Sequence, residues 1–252
     1  MMACRWRVRS GGRASVSPEA RVAVYYAPRP DDRLSADAAA WLGRDPTGAA
    51  TVAQPDVAGI AEITAEPRLY GFHATLKPPF ALREGMSRSQ LLAALSRFAD
   101  ERAPFAMPAL AFATLGGFVA LRPVDADATA PGRPLRQLAD DCVRLFDEFR
   151  QPASPEETAR RLDADLDPQQ RANVARWGYP HVFEHWRFHM TLGDALPRDA
   201  EGDRARDELL HAARRDFAAA LAAPLRCDGV ALFVEDAPGA DFRLLRRFDF
   251  AR

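Results

Sequence analysis

The sequence of 252 residues has few cysteines, almost no net charge and no long apolar run. Its three cysteines lie far apart without a CxxC pair, so neither a disulfide framework nor a zinc site with thiolate ligands is predicted. A reducing, cytoplasmic compartment is therefore expected. No apolar run approaches the roughly 18 to 20 residues that a membrane-spanning helix needs, so no membrane partner is expected.

The charges are nearly balanced, with 34 lysines and arginines against 35 aspartates and glutamates. A protein that coats nucleic acid or binds a membrane surface would have a strong basic excess, and this sequence has none. The first 20 residues are rich in arginine but have no apolar signal segment, so we expect a disordered extension or an early start codon. A transit peptide is the alternative, and ordered structure should begin near Arg21.

Hydrophobic alternation predicts several elements that recur in the same order. A first strand is followed by a helix that Ser35 can cap, and a second strand is expected to end at Pro78 and Pro79. A helix and a hairpin over residues 105–124 come next. The order of strand, helix and hairpin returns over residues 188–250, which indicates an internal duplication of the architecture.

The domain prediction follows from this repeated order. Residues 21–252 are expected to form a single bilobal domain, with lobes at about 21–130 and 185–252. A helical insertion at about 131–184 separates the lobes, and strands can be exchanged between them. The alternation of short strands and helices predicts the α+β fold class.

One pentapeptide occurs twice, as FHATL at residues 72–76 and as FHMTL at residues 188–192. Side chains alternate between the two faces of a strand, so Phe, Ala or Met, and Leu should face the core in each copy. The opposite, polar face then carries one imidazole and one hydroxyl per copy. These four polar residues are His73, Thr75, His189 and Thr191.

An imidazole titrates near neutral pH, so one histidine can act as a base while the other acts as an acid. Hydroxyl groups can donate hydrogen bonds to phosphate oxygens whose negative charge grows in a transition state. If the two strands face each other across a cleft, His73 and His189 are the predicted catalytic pair, and Thr75 and Thr191 the predicted phosphate contacts. No metal or other cofactor is required by this arrangement.

Further substrate contacts can be placed near these motifs. Strand parity puts Lys77 and Arg187 on the same polar faces, where either cation could hold a phosphate. Tyr25, Tyr26 and Tyr70 are further candidates that can line the cleft or stack on a base. Packing in the core is the equally supported alternative for these three tyrosines.

The paired H-x-T motifs, one in each half of a duplicated α+β chain, resemble the two-histidine (2H) phosphoesterase superfamily. The stretches YYAPRPDDRL, AWLGRDPTG, YGFHATLKPPF and ARWGYPHVFEHWRFHMTL resemble a bacterial branch of it that is associated with phosphonate utilisation. The resemblance implies a bilobal fold in which antiparallel sheets form a central groove, with helices on the outside. It also places the family's catalytic histidines at His73 and His189.

The resulting expectation is a metal-independent phosphodiesterase that hydrolyses a small cyclic or 2′,3′-type phosphate ester, in phosphonate metabolism according to the resemblance. Two alternatives remain open. One is a protein that binds a nucleotide or an RNA end without turnover. The other is a zinc-dependent hydrolase that uses His181, His185 and His189, which would share one face of a continuous helix.

Overall fold

In the computed structural model, which describes residues 20–48, 51–124 and 133–251, short strands alternate with helices. All but the last residue of the predicted N-terminal extension lies outside the described residues. The helices are α1 (Arg33–Leu42), α2 (Ile60–Ile63), α3 (Ala65–Tyr70), α4 (Arg88–Asp100), α5 (Arg133–Leu145), α6 (Pro155–Leu162), α7 (Pro168–Trp177) and α8 (Ala200–Asp216). The strands are β1 (Arg21–Tyr26), β2 (Ala74–Ala81), β3 (Phe105–Ala106), β4 (Leu110–Leu115), β5 (Phe118–Pro123), β6 (Met190–Thr191), β7 (Arg226–Cys227), β8 (Gly229–Glu235) and β9 (Arg243–Asp249).

The strands form antiparallel sheets, as the α+β prediction requires. The first sheet has the order β2-β1-β8-β9, so strands from the two ends of the chain lie side by side in it. A second sheet has the order β4-β5-β6, and β3 pairs with β7 in a short ribbon. Each copy of the pentapeptide therefore belongs to a different sheet.

The predicted hairpin is confirmed, and a serine caps each of two helices. The predicted hairpin is present as β4 and β5, which pair along their whole length around the turn at Gly116 and Gly117. Ser87 accepts a hydrogen bond from the backbone of Gln90 and caps α4. Ser154 caps α6 in the same way through Glu157, with Pro155 in the first turn.

Two boundary predictions are wrong. Helix α1 begins at Arg33, and Ser35 lies inside it, because the backbone N–H of Ser35 donates to the carbonyl oxygen of Asp32 at the N-cap position. Strand β2 does not end at Pro78 and Pro79 but continues to Ala81. It can do so because β2 is at the edge of its sheet, where a missing N–H breaks no ladder on the open side.

The two halves share one hydrophobic core. The six apolar residues of the pentapeptides are all buried in it, as strand parity predicts: Phe72, Ala74, Leu76, Phe188, Met190 and Leu192. Cys142 and Cys227 are buried as free thiols in the same core. Within the described residues, none of the helices is both long enough and apolar enough to span a membrane.

Candidate active site

The first motif follows a sharp turn at the end of α3. Gly71 has a φ of 75° and a ψ of 177°, a conformation that side chains disfavour. A Cβ added there would lie 3.0 Å from the Cβ of Pro46, so the close approach also requires glycine. The turn directs the chain into β2 and places His73 immediately before the strand.

The imidazole of His73 is held at three points. Its Nδ1 lies 2.9 Å from the carbonyl oxygen of Gly71, and its Nε2 lies 3.2 Å from Oγ1 of Thr75. Because a carbonyl can only accept, Nδ1 carries the proton and Nε2 is the basic atom of the neutral ring. Tyr25 on β1 stacks against the imidazole with the ring centroids 3.8 Å apart.

The second motif repeats this backbone anchor. Nδ1 of His189 lies 2.8 Å from the carbonyl oxygen of Arg187, again two residues earlier in the chain, so its Nε2 is also the basic atom. Thr191 follows on β6 and is partly exposed like Thr75. The aromatic neighbour on this side is Phe118, whose ring centroid is 5.7 Å from that of His189.

The two imidazoles are close enough for the charge of one to act on the other. Burial lowers the pKa of His73 to about 4, and a proton on His189 would lower it further, although the bond to Gly71 opposes the shift. Burial also lowers the pKa of His189, and the bond to Arg187 opposes this shift. Both rings are therefore neutral at neutral pH in the free protein, with both Nε2 atoms able to accept a proton. We call His73, Thr75, His189 and Thr191 the two-histidine site.

A direct bond joins the two motif segments. The indole N–H of Trp186, three residues before His189, donates to the carbonyl oxygen of Thr75 at 2.7 Å. On the core side, Phe188 packs against Tyr26 with ring centroids 5.6 Å apart. These contacts fix the second motif against the first strand, so the histidine pair is positioned by buried structure.

Lys77 does not share the polar face of His73 and Thr75, and this prediction is corrected. The pairing of β1 with β2 is irregular between Val24 and Tyr25, where Val24 opposes Lys77 and Tyr25 opposes Thr75. This irregularity reverses the strand parity beyond Thr75. The Lys77 side chain is only 2% exposed, and its Nζ lies 3.2 Å from Oδ1 of Asp147.

Three further predicted substrate contacts, Tyr26, Tyr70 and Arg187, lie in different surroundings. Tyr26 is buried in the shared core opposite Ala74, so it does not lie on the histidine face. Tyr70 is half-buried, with its ring centroid 6.2 Å from that of His73 and stacked on Phe242 at 5.3 Å. Arg187 is exposed and donates to the carbonyl oxygens of Glu184 and Trp186.

Arg122, beside His189, was missed from the sequence, whereas Tyr25, one of the tyrosines expected to line the cleft, stacks on His73. The alternation in RVAVYYAP gives the two adjacent tyrosines opposite faces, but it does not say which of them meets His73. Arg122 lies on β5, whose residues Ala120 and Leu121 pair with Thr191 and Met190. That pairing joins segments about 70 residues apart, so no local pattern in the sequence announces it.

The helical face required by the zinc alternative is not formed. Phe183–His185 make one 3-10 turn, after which Trp186 is extended with a ψ of 137°. His185 instead donates from Nε2 to the carboxylate of Asp167, 2.8 Å away at the N-cap of α7. Among the described residues, no group of three or more His, Cys, Asp or Glu side chains could hold a metal ion.

Comparison with known proteins shows which family the chain belongs to. Residues 75–243 match the family described as "Protein of unknown function (DUF1045)". The chain belongs to the DUF1045 family. The matched region includes His189 and both threonines of the two-histidine site.

Two curated relatives carry a more specific name. A protein of Janthinobacterium sp. (strain Marseille), named "Ribose 1,5-bisphosphate phosphokinase PhnN", is 37% identical over 245 residues, which are 95% of this chain and 52% of the relative. A protein of the same name from Laribacter hongkongensis (strain HLHK9) is 39% identical over 229 residues, which are 90% of this chain and 51% of the relative. The chain spans about half the length of the curated relatives it matches.

These names correct the expected activity. Both relatives are named as kinases, whereas the motifs led us to expect a metal-independent phosphodiesterase that hydrolyses a cyclic or 2′,3′-type ester. The inference failed because paired imidazoles and hydroxyls suit several reactions of phosphate groups, and hydrolysis of a diester is only one of them.

Proposed function

We propose that the two-histidine site binds a phosphate group of a small ribose phosphate and carries proton transfer during phosphoryl-group chemistry. The observation that supports this proposal is the matched presentation of His73 and His189. Each ring is anchored through Nδ1 to the carbonyl two residues earlier, which leaves Nε2 as the basic atom, and Nε2 of His73 contacts the hydroxyl of Thr75. The reacting group would lie between Thr75 and Thr191.

The residues have separable roles in this proposal. The threonine hydroxyls donate hydrogen bonds to non-bridging phosphate oxygens, and in doing so the hydroxyl of Thr75 gives up its present bond to Nε2 of His73. One neutral imidazole accepts the proton of the attacking hydroxyl group as the new P–O bond forms, while the bond between the same phosphorus and the leaving-group oxygen of the phosphoryl donor breaks and that oxygen departs with the donor. The phosphoryl donor is not assigned to residues, since the sequence has no GxxxxGK[ST] loop for its phosphates.

The substrate class comes from the names of the relatives. Ribose 1,5-bisphosphate, which those names contain, carries phosphate esters of the size that two threonines and two imidazoles can contact. The symbol PhnN also fits the link to phosphonate metabolism that the sequence resemblance implies. Paired H-x-T motifs in two antiparallel sheets further support a place in the 2H superfamily, with a reaction other than diester hydrolysis.

Binding by the full chain tests the proposal most directly. Titration calorimetry with ribose 1,5-bisphosphate should show one site, and Thr75→Val and Thr191→Val should each weaken binding by roughly 10- to 100-fold. This range corresponds to the loss of one hydrogen bond to a charged group. Thr114→Val is the matched control, because Thr114 lies exposed on β4. Unchanged affinity in both site variants would refute the proposal.

The proton-transfer role needs a second measurement. With ATP and Mg²⁺ present, phosphoryl transfer to the ribose phosphate can be followed by ³¹P NMR. His73→Asn and His189→Asn should each lower that rate by roughly 10²- to 10⁴-fold, as expected when a general acid or base is removed. Binding without any transfer by the wild-type chain would limit the role of the site to binding.

A further inference from the structure

Arg122 brings a positive charge to one side of the two-histidine site. Ala120 and Leu121 on β5 pair with Thr191 and Met190 on β6. The next paired position along these two strands places Arg122 beside His189. Residues at paired positions have their side chains on the same face of an antiparallel sheet. The positive charge of Arg122 also contributes to lowering the pKa of His189, which supports this proximity.

The guanidinium group of Arg122 is not fully hydrogen-bonded within the residues that the structure describes. Its Nε is buried, and within the described part of the chain that atom has no hydrogen-bond partner. The same residues supply no carboxylate to the group. A partly buried cation without a counter-charge is costly, so a side chain kept in this state points to an anionic ligand.

The corresponding place beside His73 carries no charge. Tyr26 pairs with Ala74, so the next position along β1 places Ala27 beside His73. Ala27 is buried and small, and the nearest ring to His73 is the fully buried Tyr25. The two sides of the site are therefore alike in histidine and threonine but differ in cationic charge.

We propose that Arg122 selects a terminal phosphate monoester, a dianion at neutral pH, and seats it on the His189 side of the site. This assignment rests on the proposed function, since it names the form of the phosphate that the site accepts. A monoester has a second pKa near 6 and so carries close to two negative charges at pH 7.5. A diester carries only one and offers one fewer terminal oxygen to the planar donors of arginine.

The test compares one sugar phosphate in two charge forms. Calorimetry at pH 7.5 with ribose 5-phosphate and with its methyl phosphodiester should show that the wild-type chain binds the monoester at least roughly tenfold more tightly. In Arg122→Gln that preference should disappear, with monoester binding weakened about 10- to 50-fold and diester binding changed less than about threefold. Arg97→Gln is the matched control, because Arg97 lies exposed on α4, which packs against β8 and β9.

A second measurement needs no ligand. The pKa of His189, followed by NMR of its ring protons, should rise in Arg122→Gln because a neighbouring positive charge has been removed. The same pKa should not change in Arg97→Gln. An unchanged His189 pKa in Arg122→Gln would show that Arg122 is not beside His189 and would overturn the assignment.

The binding outcomes separate this assignment from the proposed function. If the wild-type chain binds neither compound, both are overturned. If binding is lost in Thr191→Val but the monoester preference persists in Arg122→Gln, the two-histidine site stands and the role of Arg122 is refuted. A wild-type chain that binds both compounds equally would refute the role of Arg122 in the same way.

Discussion

His73 and His189 have the same backbone anchor but different neighbours. Tyr25 covers one face of the His73 ring, whereas His189 has Phe118 at a larger distance and Arg122 beside it. Stacking on a buried tyrosine removes water from one face of the imidazole, which disfavours its charged form. A bound phosphate would oppose this effect at both rings, because an anion favours the protonated imidazole.

The lowered pKa of His73 predicts how stability depends on pH. The ring titrates near pH 6.5 in the unfolded chain and near 4 in the folded protein. Between these values the unfolded state binds more protons, so the free energy of unfolding should decrease as the pH falls from about 6.5 to 4. The contribution of His73 should be about 1 to 3 kcal/mol, measured by urea denaturation across this range.

A substitution separates this contribution from general acid denaturation. His73→Asn should flatten the pH dependence between about 4 and 6.5, since no imidazole remains to be protonated on unfolding. His211→Asn is the control, because His211 lies exposed on α8. If wild type and His73→Asn lose stability equally over this range, His73 does not titrate as the structure indicates.

For single residues, strand alternation correctly predicted which side chains within the pentapeptides face the core. It could not predict features that depend on the register between two strands. Alternation within FHATL and FHMTL correctly divided core residues from the partly exposed histidines and threonines. It failed at Lys77, because an irregular pairing of β1 with β2 reverses the faces after Thr75. It could not find Arg122, whose place depends on the pairing of β5 with β6.

Among the elements of the fold, β2 is tied to α5 and the turn after it by a buried ion pair. Lys77 on β2 donates to Asp147, which follows α5, and to the carbonyl oxygen of Val143 within α5. Burial lowers the pKa of Lys77 to about 8, although Asp147 opposes the shift. Asp147 also forms ion pairs with Nε of Arg150 at 2.7 Å and with Nη1 of Arg176 at 3.5 Å. A single carboxylate therefore binds three cations from different parts of the chain.

This arrangement predicts unequal effects from its two members. Asp147→Asn should lower the free energy of unfolding by about 3 to 5 kcal/mol, because Lys77 would have to keep a buried charge without compensation or give up its proton on folding. Lys77→Met should lower the free energy of unfolding by less, since Asp147 would still form ion pairs with Arg150 and Arg176. Urea denaturation at pH 7 measures both.

The double variant provides the control for this pair. Removing the lysine charge should relieve part of the penalty, so Lys77→Met with Asp147→Asn should be more stable than Asp147→Asn alone. Strictly additive losses, or a loss below about 1 kcal/mol in Asp147→Asn, would show that the ion pair does not hold α5 and the turn after it to β2.

In the whole molecule, each half of the chain donates a tryptophan hydrogen bond to the motif segment of the other half. The indole N–H of Trp186 donates to Thr75 in the first motif, and that of Trp41 on α1 donates to Leu192 at the end of the second, both at 2.7 Å. Strand β1 also lies between β2 and β8. The mixture of helices and antiparallel strands could be predicted from sequence, but these reciprocal bonds could not, because they join residues more than 100 positions apart.

Removing one of these bonds should therefore affect both stability and ligand binding. Trp186→Phe keeps an aromatic ring but leaves the carbonyl of Thr75 without its donor, which should cost about 1 to 3 kcal/mol of unfolding free energy. Because Thr75 and the segment before His189 would lose their direct link, affinity for ribose 1,5-bisphosphate should fall about 3- to 10-fold. Calorimetry and urea denaturation on the same samples measure the two effects.

The same substitution at Trp177 separates positioning from stability. Trp177, the last residue of α7, packs edge-on against Phe183 in the following 3-10 turn, with ring centroids 5.2 Å apart. Trp177→Phe should change stability without changing affinity for the sugar phosphate, whereas Trp186→Phe should change both. Because the two halves share one core, unfolding of each variant should remain a single transition by tryptophan fluorescence and circular dichroism. Separate transitions, or equal losses of affinity in both variants, would show that the Trp186 bond does not align the two motifs.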